Sequence, residues 1–159
     1  MKKTTLSGSL PKQNFLSRIM SVSWLRKSLF VEILSLWFVI LFLYTGIAKL
    51  LEFDVFQEQL ADSPVLQPVA PVVAWGLPLI EFIVSILLFF PKYRLKGLYA
   101  SFSLMALFTV YIIILLNTSA ELPCSCGGII EQLSWQGHLI FNSILTLLAF
   151  LAIRIQKHL

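Results

Sequence analysis

Residues 69–90 read VAPVVAWGLPLIEFIVSILLFF, an apolar stretch whose single charge, Glu81, lies near its middle. A helix rises about 1.5 Å per residue, so about 20 apolar residues span the ~30 Å hydrocarbon layer of a bilayer. Outward from this stretch lie three more runs of the same kind, Ser28 to Leu51, Lys96 to Asn117 and Gly137 to Ile153. None has the two-residue alternation of a membrane β-strand, and in lipid the backbone must bond within a helix or a closed barrel. The 159 residues are 58% hydrophobic and 13% charged, with mean hydropathy +0.86, whereas a soluble domain carries about 25% charge. The sequence therefore predicts an all-α integral membrane protein, a four-transmembrane-helix bundle with spans at about 28–51, 69–90, 96–117 and 137–153, in contact with membrane lipid.

The basic residues give the bundle a direction. Lys2, Lys3, Lys12, Arg18, Arg26 and Lys27 precede the first run, Lys92, Arg94 and Lys96 sit between the second and third, and Arg154 and Lys157 follow the fourth. These eleven share one side, and the other has only Lys49 among Glu52, Asp54, Glu58, Asp62, Glu121 and Glu131. The positive-inside rule then places both termini in the cytoplasm and the 118–136 segment outside. Residues 1–27 read as a cytoplasmic segment, with Phe15, Ile19 and Val22 spaced for a short interfacial helix. The first run is too long for a signal-peptide core and no small-x-small site follows it, so it reads as an uncleaved span. The basic residues flank the spans and form no patch for nucleic acid, so a nucleic-acid partner is not expected.

The only two cysteines, Cys124 and Cys126, lie in the outward stretch PCSCGG, residues 123–128. With one residue between them a disulfide closes a small, constrained loop, and strained bridges are the more oxidising ones. So short a loop restrains little of the unfolded chain, which makes it a poor structural staple. The residues alone leave a reversible redox pair, an inert bridge and a metal site open. Two thiolates leave zinc short of ligands even if His138 adds a third, so no metal is expected. Four more residues draw notice for their position. Glu81 is a carboxyl deep in a span, where ionisable groups cost free energy and are kept for a reason. Pro78, three residues earlier, weakens the helix ladder there. Lys49, at the outer end of the first span, either snorkels to the interface or stabilises a nearby thiolate. His138 and Asn142 are four apart at the start of the last span, on one helical face, where His138 is a candidate for proton transfer during thiol chemistry.

Taken in order, Gly46-Ile47-Ala48-Lys49, Phe56, Leu60, Leu66-Gln67-Pro68, Pro71, Leu77-Pro78-Leu79-Ile80-Glu81 and Cys124-Ser125-Cys126-Gly127 resemble the MauE/DoxX family of small redox-associated bacterial membrane proteins, above all its methylamine-utilisation members. The resemblance covers residues from about Tyr44 to the C-terminus, within a membrane domain of 28–157. The family commonly has Cys-Gly-Cys-Phe-Gly in the outward loop, where this chain has Ser125 between the cysteines and Gly127-Gly128 after them. The resemblance implies a protein of the bacterial inner membrane whose Cys124 and Cys126 face the periplasm and form or maintain disulfides in an exported partner. It also implies a thioredoxin-like protein as intermediary, as in the maturation of methylamine dehydrogenase.

Two thiols on one face cannot by themselves carry electrons across a membrane. A thiol-disulfide oxidoreductase of this kind therefore needs an electron acceptor, and by analogy with other four-helix membrane thiol oxidases that acceptor is a quinone seated near Glu81 and Asn142. Two further readings come from other classes. One is a non-enzymatic scaffold or chaperone for an exported redox protein, its cysteines a fixed bridge. The other is a small transport or metal-handling protein, which has few intramembrane polar residues with which to line a path.

Overall fold

A computed structural model describes residues 13–63, 65–118 and 135–158 of the chain. The described residues are almost wholly helical: α1 (Gln13–Leu51), α2 (Phe53–Asp62), a 3-10 turn (Gln67–Val69), α3 (Ala70–Phe89), α4 (Arg94–Thr118) and α5 (Trp135–Gln156). Four of them are long and apolar enough to cross a membrane, over Leu25–Leu51, Gln67–Phe89, Arg94–Asn117 and Gln136–Gln156. The expected fold class, an all-α bundle of four membrane-spanning helices, is the one found.

The stretch whose spacing suits a short interfacial helix is helical from Gln13 and continuous with the first span, α1 being a helix of 39 residues. At 1.5 Å per residue that is about 58 Å, roughly twice the hydrocarbon thickness. No proline or glycine stands between Gln13 and Thr45 to break it.

The four long helices form a ring in which α1 touches α3 and α5, and α4 touches α5 and α3. Each turns a narrow stripe inward. On α1 the stripe is Val31, Leu34, Phe38 and Phe42, and on α5 it is Leu145, Ala149 and Ala152, both at the three-and-four spacing of a helix face. Val84 and Leu88 of α3 and Leu98 and Met105 of α4 complete the core. The outward faces carry large exposed apolar side chains such as Ile33, Leu79, Leu107 and Leu147, the inverse of a soluble protein's surface. Three buried hydroxyls bond within their own helix: Ser35 donates to Val31 O at 2.7 Å, Ser85 to Glu81 O at 2.9 Å and Ser101 to Gly97 O at 2.8 Å.

The connections define two ends. At one, the short α3–α4 turn carries Arg94, whose Nη1 lies 3.5 Å from Glu32 Oε1 of α1. At the other, α2 folds back on the start of α3, burying Phe56 and Leu60 against Ala70 and Ala74. Pro68 and Pro71 occupy first-turn positions of the 3-10 turn and of α3, where a missing N–H costs nothing. The α4 helix returns to this α2 end, where the Tyr111 hydroxyl donates to Ser63 Oγ at 3.0 Å. Cys124 and Cys126 fall in residues 119–134, which join α4 to α5 and lie outside the described residues.

Candidate functional site

The polar centre of the described bundle joins α1 to α3. Lys49 is on the last turn of α1, and the inward stripe of that helix carries it to the α3 side, leaving it only 7% exposed. Its Nζ donates to Glu81 Oε1 at 2.7 Å, and the Glu81 side chain is 5% exposed. The ammonium also reaches the backbone oxygen of Thr45 at 3.4 Å and stands 5.8 Å from the centroid of the Phe56 ring on α2. So the Lys49 side chain does not snorkel into solvent. It turns inward, where its charge meets an opposite one. An isolated buried charge costs several kcal/mol, and a partner at hydrogen-bond distance offsets much of that.

The neighbours make room for the carboxylate. Gly46 lies one turn before Lys49, and a Cβ there would stand 3.3 Å from Glu81 Oε2 and from two atoms of the Phe82 ring. Pro78 is fully buried in α3 and has no N–H for the carbonyl four residues earlier, so the helix is locally weakened just ahead of Glu81. Oε1 is taken by Lys49, whereas Oε2 is buried without a hydrogen bond. Thr45 lies beside the carboxylate, with its hydroxyl donating back to Leu41 O at 3.0 Å and Phe42 O at 3.3 Å. The pair thus keeps one unused acceptor, to which a proton or a rotated hydroxyl can be added.

Two residues singled out separately by the sequence, Lys49 and Glu81, are therefore in direct contact. Asn142 and His138 are placed differently. Both are at the α2 end of α5, and the buried Asn142 amide donates to His138 O at 2.9 Å within its own helix. The sequence gives a signal for the pairing, an isolated lysine and an isolated glutamate in two neighbouring spans, but reading it requires the relative register of the two helices. The acidic α2 helix has a weaker signal in the sequence. Its signal is Phe53, Phe56 and Leu60 at helical spacing among Asp54, Glu58 and Asp62.

The sequence model of one protein family, described as Methylamine utilisation protein MauE, matches residues 27–155. The chain belongs to the MauE family. The match takes in all four spans and both residues of the ion pair, and it identifies a membrane protein linked to methylamine utilisation. No curated protein and no solved structure matches the chain.

Proposed function

We propose that this MauE-family chain is a membrane thiol-disulfide redox protein of the bacterial inner membrane, which supports disulfide formation or maturation of an exported partner of the methylamine dehydrogenase type. The observation that carries the reading is the Cys124-Ser125-Cys126 pair, the only cysteines of the chain, in the segment that joins α4 to α5 of a membrane bundle. The charge asymmetry of the sequence assigns that segment to the periplasmic side, where thiol chemistry runs in the oxidising direction.

In the reaction proposed, a thiolate of the partner, or of a thioredoxin-like intermediary, attacks the Cys124–Cys126 disulfide to give a mixed disulfide. The partner's second thiol then resolves it. The partner leaves with a disulfide, and Cys124 and Cys126 remain as two thiols. Re-forming their bond releases two electrons and two protons, which a membrane-dissolved quinone accepts to become quinol. His138, at the start of the helix that follows the cysteine segment, is positioned by sequence to pass a proton. Lys49 and Glu81 take a different role from the one their isolated positions suggest. The ammonium of Lys49 is compensated by the carboxylate at 2.7 Å, which diminishes its field at any thiol, so the pair serves to fix α1 against α3.

Trapping tests the exchange. Cys124→Ser or Cys126→Ser, expressed with its partner, should accumulate a reductant-sensitive adduct with a thioredoxin-like or exported protein. The scaffold reading predicts that the double serine variant retains full partner maturation, and that result would overturn the redox one.

A further inference from the structure

A second feature lies beside the ion pair, on a different face of α3. Between α3 and α4, under α2, is a cavity of about 550 Å³, within the ~300–1,000 Å³ range of small-molecule sites. Its wall includes Phe56 of α2, the same ring that neighbours Lys49, and it extends along α3 past Gly76 and along α4 to Tyr111. Val72 and Leu107, at its rim, are 74% and 67% exposed on the outer surface of the bundle, so the mouth opens sideways into the lipid and not into water. Gly76 presents its open side to this space, since a Cβ there would meet nothing within 4 Å.

The lining states what the occupant is not. It contains no charged residue, and its polar side chains are Gln59 and Tyr111, whose hydroxyl is taken by Ser63 Oγ at 3.0 Å. The nearby Lys49 is held by Glu81, so the site offers no cation to a phosphate. A phospholipid headgroup is unmatched here. A neutral, flat or single-tailed lipophile with an oxygen at one end that accepts from the Gln59 amide matches the apolar walls and this polar side chain. The redox reading above requires an acceptor of that chemistry.

We infer that the α2–α3–α4 cavity is the binding site of the membrane quinone, entered laterally from the bilayer, with the head towards Gln59. The inference rests on the proposed function for the need of an acceptor, and on the cavity alone for the place. It moves the quinone site from the surroundings of Glu81 to the opposite side of Phe56.

The test uses the full chain in phospholipid nanodiscs and a photoreactive azido-quinone with a short isoprenoid tail. Label should map to the cavity segments of α3 and α4, and excess unlabelled quinone should compete it away. Gly76→Phe, and Leu107→Trp from the facing helix, should each reduce labelling by about tenfold or more. Ile144→Phe, on the lipid face of α5, should leave it unchanged. Competition by added phosphatidylglycerol but not by quinone would identify an acyl-chain groove and overturn the inference, as would wild-type labelling in both cavity variants. The two readings separate cleanly. Labelling of the cavity together with full partner maturation in a Cys124→Ser/Cys126→Ser protein would sink the thiol chemistry and leave the site standing. Trapped partner with an unlabelled cavity would do the reverse.

Discussion

At the scale of single residues, the Lys49–Glu81 pair raises the question of whether it stabilises the bundle or only specifies it. Polar contacts between membrane helices average about 0.6 kcal/mol, so the net contribution of the intact pair is small. Removing one partner is another matter, because the remaining charge is stranded: the cost is about 3–5 kcal/mol. Lys49→Met and Glu81→Met should therefore each lower the thermal unfolding midpoint in detergent sharply, and the double Met variant should recover most of the loss. A double variant as unstable as the sum of the singles would show that the two side chains act independently. The sequence marks both residues as out of place in an apolar span, yet their contact spans thirty-two positions and depends on how α1 and α3 are rotated and shifted. Hydropathy contains no term for rotation. The hydroxyls of Ser35, Ser85 and Ser101 were equally unreadable as partners, because each bonds its own helix and links nothing.

Among the elements, the helices were legible and their joints were not. Four apolar runs of membrane length announce themselves by composition alone, and the structure finds a long helix at each. The α2 helix is short and only half apolar, so it passes for a polar connection until its three apolar positions are counted by turn. Where α3 meets α4, two glycines play opposite parts. A Cβ on Gly97 would fall 2.8 Å from the backbone nitrogen of Leu88, so the helices approach there as closely as a backbone allows. Gly97→Val should cost about 1–3 kcal/mol through overpacking. Gly76→Ala meets open space and should be neutral or gain up to about 1 kcal/mol from helix propensity. Thermal unfolding of the two variants side by side checks the contrast, and equal effects would mean that the α3–α4 approach is not as described.

For the whole molecule, the functional proposal stands on which side of the membrane receives the segment joining α4 to α5. The eleven basic residues gathered on one side predict that an impermeant maleimide, applied to reduced spheroplasts, modifies Cys124 and Cys126 without lysis. Modification only after the membrane is opened would remove the compartment in which the exchange is proposed to run. Charge distribution was readable from the linear chain because it needs no contacts. The ring order of the helices was not, since it depends on which faces pack. Between α3 and α4 that ring is closed tightly at Gly97, whereas the cavity lies between the same two helices around Gly76 and Tyr111. The half of this seam without the backbone contact is the more compressible one, so lateral pressure from the host bilayer should narrow the lipophile-sized opening before it disturbs the Gly97 approach.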